Sequence, residues 1–111
     1  MANCRRKTNF KTGIKIFTSD EKEFDAGSAA CLNITPEGVL LSKIKLAKKC
    51  IPLDSFTVKL VLESGELKGL KATAELVYLS TSKGKMQLGL AFTKIAKADR
   101  AKISKFLGIT N

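Results

Sequence analysis

The chain of 111 residues reads as an all-β domain with one C-terminal helix, arranged as an antiparallel barrel or sandwich. Three observations predict this. Short apolar runs recur at regular intervals; Gly, Pro, Asp and Ser cluster between them; and beyond Phe92 the apolar spacing lengthens from strand alternation to the three- and four-residue steps of a helix. An antiparallel sheet that closes on itself, with the helix over one open end, satisfies such a pattern.

The first strand is expected over residues 13–18, where Ile14 and Ile16 alternate with Lys15 before the charged turn Ser19-Asp20-Glu21-Lys22. Residues 24–34 are small and apolar and form the second strand, closed by Thr35-Pro36-Glu37-Gly38, whose Pro and Gly make a tight turn. The return strand runs over 38–44 through Val39-Leu40-Leu41, and 46–54, with Pro52 and two adjacent lysines, is a loop. Three longer strands follow over 56–62, 67–79 and 85–92, joined by Ser64-Gly65-Glu66 and Thr81-Ser82-Lys83-Gly84. Ile95, Ala98, Ile103, Phe106 and Leu107 then share one helical face, which predicts a helix near 96–107 with Gly108 as its stop. Cys31, Val58, Leu60, Leu62, Leu76, Leu88, Leu90 and Phe92 are the expected interior. Residues 1–11 are polar and unpatterned, so the domain is expected to divide into a basic N-terminal arm over 1–11 and a barrel with its helix over 12–111.

Composition narrows the function. Hydrophobic residues make up 44% and charged residues 27%, as in an ordinary globular domain, and the length suits one core. No apolar run approaches the ~18 residues of a membrane span, and none follows the basic start, so neither a span nor a secretory signal is expected. Cys4, Cys31 and Cys50 are an odd set without CxxC spacing, and the chain has no His. A disulfide framework and a zinc site are therefore not expected, and a reducing cytoplasm is. Without His the commonest general base is missing, and no pair of acids is set up for acid–base work; Glu21 and Glu23 lie in a charged turn. No enzymatic activity, metal or cofactor is expected.

Twenty Lys and Arg against ten Asp and Glu give a net charge of +10, a field that favours anionic partners. Arg5, Arg6, Lys7, Lys11 and Lys15 all precede the first acid, Asp20. A second basic group, Lys83, Lys94, Lys97, Arg100, Lys102 and Lys105, includes only Asp99 as an acid. Aromatic residues are 6% with no Trp, so the stacking platforms of single-strand nucleic-acid binders are scarce and nucleic acid is not the expected partner.

Two constellations bear on binding. Arg5-Arg6-Lys7-Thr8-Asn9-Phe10-Lys11 offers guanidinium forks that bond two acceptors at once, on a guanine edge or a phosphate, or else forms a solvated tail. Asn33-Ile34-Thr35-Pro36-Glu37-Gly38 places an amide and a hydroxyl two residues apart, hence on one side of a strand, or else supplies only the residues any turn uses.

Together they resemble the PilZ domain family, whose pattern is Arg-x-x-x-Arg followed by Asp/Asn-x-Ser-x-x-Gly. The likeness extends along the chain: Gly38-Val39-Leu40-Leu41 is similar to the family's strand after the turn, Gln87-Leu88-Gly89-Leu90-Ala91-Phe92 to its last strand, and residues 98–107 to its closing helix. The resemblance implies a six-stranded antiparallel PilZ-like β-barrel that binds cyclic di-GMP, a bacterial second messenger. Counted from Arg5, the second arginine of the motif falls on Asn9; counted from Arg6 it falls on Phe10. The first register is preferred, because the family has an apolar residue after the second arginine. Asn33 is an allowed alternative, Thr35 keeps the hydroxyl and Gly38 is present. The resemblance thus implies a ligand site of Arg5, Arg6, Asn9, Asn33, Thr35 and Gly38, with output through an unidentified effector protein in motility, pili or exopolysaccharide control. The alternative is a PilZ-like domain that has lost the ligand and acts by protein–protein interaction. A missing bidentate arginine–guanine contact would weaken binding by ~1–3 kcal/mol.

Overall fold

Residues 56–62 bury every second side chain: Phe56, Val58, Leu60 and Leu62 point inward, while Lys59 is exposed between them. A strand so patterned needs a second strand on each side and a core on one face. The computed structural model provides both. It describes residues 6–48, 52, 55–82 and 84–108, and of these the side chains of all but 6–8 and 82. The strands are β1 (Arg6–Thr18), β2 (Glu23–Thr35), β3 (Gly38–Leu46), β4 (Phe56–Leu62), β5 (Lys71–Ser82) and β6 (Lys85–Ile95), followed by helix α1 (Lys97–Leu107). They form a closed barrel in the order β1-β2-β3-β6-β5-β4, every pair antiparallel. Closure leaves no sheet edge, since β4 pairs with both β1 and β5.

The interior is filled by Ile14, Ile16, Cys31, Ile34, Leu41, Val58, Leu60, Leu62, Leu88 and Leu90, all nearly inaccessible. Leu76 and Phe92, expected inside, are half-buried against this core. Glu21 and Glu23 are both exposed, as expected, but only Glu21 lies in the turn; Glu23 opens β2 opposite Phe17.

Three elements differ from the sequence expectation. The first strand begins at Arg6 rather than at residue 13, so residues 6–11 belong to the barrel and not to a free arm. Arg6 pairs with Ile34, Lys7 with Asn33 and Phe10 with Cys31. Backbone pairing needs no apolar side chain, which is why a polar run with no hydrophobic period continues the sheet. Residues 67–70, expected in β5, instead form a turn: the Gly69 N–H donates to the Leu62 carbonyl at 2.7 Å and the Leu70 N–H to the Leu67 carbonyl at 3.0 Å. Leu67 and Leu70 fold inward from it as a plug, so their hydrophobicity reports burial and not strand. At the helix, Ala98 is exposed although it was expected on the apolar face, and Ile95, expected on the same face, instead ends β6 opposite Ala72.

Ile103 is the fully buried anchor of α1. One turn on, the Phe106 ring lies 5.6 Å from that of Phe10, tilted by 56°. Gly108 ends the helix with φ 76°, in the left-handed region, and its N–H returns to the Lys105 carbonyl at 3.1 Å. Cys31 is buried, with its thiol 3.4 Å from the Asn33 carbonyl; Cys4 and Cys50 lie outside the described residues. After β3 the chain is tied back to β2 by Asp25, which accepts from the N–H groups of Lys48 (2.7 Å) and Ala26 (2.8 Å), while the Lys48 ammonium sits 4.3 Å above the Phe24 ring.

Candidate functional site

The β2–β3 turn is organised by one hydroxyl. Thr35 Oγ1 accepts from the N–H groups of Glu37 and Gly38, each at 3.1 Å, and lies 3.5 Å from the Gly38 carbonyl. This is a serine/threonine turn, and it holds the loop tightly across a two-residue connection. Gly38 pairs with Ala91 of β6, and a Cβ at position 38 would lie 2.1 Å from the Leu90 carbonyl oxygen. The close approach that needs glycine here is therefore that of strand β6.

Ile34 points into the core, so its neighbours Asn33 and Thr35 project from the outer wall, both half-buried. Opposite Asn33 stands Lys7, and opposite Ile34 stands Arg6. Between Lys7 and Phe10 strand β1 spends one residue more than β2, a bulge, and Asn9 sits in it with its side chain exposed. Phe10 is held between the Phe106 ring and the Gly65 backbone, where a Cβ would come within 2.1 Å of the ring.

Asn33, Thr35 and Gly38 line a depression of about 220 Å³ on the outer wall, together with Leu40, Tyr78 and Gly89. Tyr78 is a component that sequence reading missed. A bulge in β5 between Leu76 and Tyr78 breaks the alternation, leaving Val77, Tyr78 and Leu79 exposed in succession. The Tyr78 ring lies on Gly89, whose Cβ position would fall 2.2 Å from the ring. Four consecutive apolar residues, Leu76-Val77-Tyr78-Leu79, in an otherwise alternating strand, facing a strand that carries a glycine, were the available signal.

Of the residues expected to bind, Asn33, Thr35 and Gly38 line one depression, and the backbone of Arg6 runs beside them. Arg5 lies outside the described residues, as does the side chain of Arg6. Among the described residues there is no cluster of His, Cys, Asp and Glu able to hold a metal ion, and no helix is long and apolar enough to cross a membrane.

No family model and no curated protein matches the chain. Solved structures do. The inhibitor of motility of Bacillus subtilis (MotI/DgrA) superposes with a TM-score of 0.66 at 15% identity, over 93% of this chain and 46% of that one. The PilZ domain of YcgR from Escherichia coli, solved with cyclic di-GMP, superposes with a TM-score of 0.65 at 10% identity, over 94% of this chain and 86% of that one. The fold is PilZ-like. This PilZ-like domain spans less than half of the Bacillus chain and most of the YcgR chain. The likeness rests on the six-stranded closed barrel with one C-terminal helix, the architecture that the sequence resemblance implied.

Proposed function

We propose that this PilZ-like domain is a cyclic di-GMP receptor or adaptor of bacterial signalling in the cytoplasm, and that it passes ligand binding to an effector protein in motility, pili or exopolysaccharide control. The observation that carries this reading is the strand pairing of Arg6 with Ile34 and Lys7 with Asn33, which runs the basic start of β1 alongside the Asn33–Gly38 turn and its open depression. In it Arg5 and Arg6 engage guanine and phosphate, Asn33 bonds a guanine edge, and Lys7 and Lys11 add phosphate attraction. Thr35 and Gly38 act by shaping the wall, one through its turn and the other by admitting β6. Asn9 stands where the second arginine of the motif falls. No catalytic step is part of the proposal.

Calorimetric titration with cyclic di-GMP tests it. Saturable binding is expected, weakened by about 1–3 kcal/mol in Asn33→Ala with little change in melting temperature. An absence of binding heat in the parent protein would favour the second reading, a PilZ-like domain that has lost the ligand and works by protein contact. That reading is supported by Asn9 in place of an arginine and by the Thr35 hydroxyl being taken up by its own turn.

A further inference from the structure

Across β1, β4, β5 and β6 the outer surface of the barrel carries a row of like charges. Lys15 of β1 stands directly across from Lys59 of β4; Lys59 faces Thr73 of β5, and Thr73 faces Lys94 of β6. All three lysines are exposed, and Lys71 lies two residues from Thr73 on the same face. Like charges set directly opposite on a sheet are destabilising, so folding alone gives no reason for this row. The compensation present is slight. Lys15 reaches Glu23 at 4.0 Å with both side chains more than half exposed, and the Lys59 ammonium rests 4.6 Å above the Phe17 ring.

The row borders a groove of about 960 Å³, several times the volume of the depression at Asn33. Gly13, Ala26 and Val61 line it as small apolar residues, and the lysines rim it. Two acids, Glu63 and Asp99, also line it, and Asp99 is 3.9 Å from Lys102. We infer that this groove docks an acidic segment of a partner protein, with carboxylates on Lys15, Lys59 and Lys94 and small apolar side chains on the floor.

The chemistry favours this occupant over other anions. The rim is lysine and not arginine, so it offers point charges without the planar fork that reads bases. None of the residues lining the groove is aromatic, and the Phe17 ring beside it is covered by the Lys59 ammonium, which makes a poor stacking platform for single-stranded nucleic acid. The wall is concave and lacks an exposed apolar anchor of the kind a flat bilayer surface takes. A second copy of a chain with net charge +10 would be repelled. The inference gives the chemistry of the partner in the adaptor reading and rests on that reading only for there being a partner; the row of lysines stands apart from the Asn33 depression.

Fluorescence anisotropy with a labelled poly-glutamate peptide, in the absence of cyclic di-GMP, tests it. The parent protein should bind the peptide, and the triple variant Lys15→Gln, Lys59→Gln, Lys94→Gln should bind about tenfold more weakly. A control with the same net charge, Lys43→Gln, Lys68→Gln, Lys85→Gln, should lose less than about twofold. Melting temperatures follow folding, and Lys94→Glu alone repeats the test without touching the Lys15–Lys59 pair. Equal weakening by the two triple variants, no binding of the peptide, or tighter binding of oligouridine or phosphatidylglycerol vesicles than of the peptide would overturn the inference. Cyclic di-GMP titration of the groove variant should match the parent, which separates failure here from failure of the ligand reading.

Discussion

Gly38 and Asp25 each carry one well-defined task. A methyl at position 38 would meet the Leu90 carbonyl oxygen, which is backbone and has no rotamer by which to withdraw. Gly38→Ala is therefore expected to destabilise the fold by about 1–3 kcal/mol, read as a fall in the denaturation midpoint. A loss of ligand binding in that variant would report the wall and not a ligand contact. Asp25 is a pH sensor of stability. The N–H groups of Lys48 first, and then of Ala26, bond its carboxylate and hold its pKa below the ordinary value, against the opposing effect of burial. The unfolded state thus binds the proton more readily, so stability is fully present above the unfolded value of about 4 and is lost as pH falls through the lower folded value. Asp25→Asn should melt earlier than the parent near neutrality. The two melting curves should converge on acidification below about pH 4, and a gap that stays constant with pH would contradict the role assigned to the carboxylate.

Strand β1 joins the two motifs, and its bulge sets which of its side chains are available. Asn9 is exposed in the bulge, whereas Phe10 is packed between Phe106 and Gly65. Asn9→Arg should therefore leave the melting temperature nearly unchanged and raise cyclic di-GMP affinity by about 1–3 kcal/mol by supplying a fork. Phe10→Arg should instead lose ring packing and destabilise by about 1–3 kcal/mol. Calorimetry and thermal melting on the two variants separate these outcomes; a gain in affinity with Phe10→Arg would reverse the register. The same strand marks where sequence reading stopped. Strand β4 was legible from end to end because its alternation is strict, and α1 because Ile103, Phe106 and Gly108 keep helical spacing. The start of β1 was not legible, because Arg6 and Lys7 are held by backbone pairing to β2 and Asn9 by the bulge between them and Phe10, none of which leaves a hydrophobic trace. Leu67 and Leu70 misled in the opposite sense, being apolar and buried yet in a turn. At the site, Asn33, Thr35 and Gly38 could be read from their spacing. For Tyr78 the apolar run over residues 76–79 signalled a break in alternation, but only the pairing of β5 with β6 lays its ring on Gly89.

For the molecule as a whole, charge and packing pull against each other. Among the described residues, nineteen nearly or fully buried apolar side chains form one continuous core, and closure of the sheet satisfies the strand hydrogen bonds internally. Outside that core, a net charge of +10 is spread over a barrel whose radius of gyration is 13.6 Å, so each lysine lies within a few Debye lengths of most others at low ionic strength. The ion pairs among the described side chains are three, all at 3.9–4.0 Å and each with at least one strongly exposed partner, which makes them small contributors. Repulsion, with Lys15 across from Lys59 as its most concentrated instance, should then dominate the surface term. Screening weakens that repulsion in the folded state more than in the expanded unfolded chain, where the charges are farther apart. The melting temperature should accordingly rise between about 0.02 M and about 0.5 M sodium chloride. The groove variant Lys15→Gln, Lys59→Gln, Lys94→Gln should melt higher than the parent at the low-salt end and respond less to added salt. A parent melting temperature that is flat or falls with salt would mean that the exposed lysines are too well solvated for their repulsion to count.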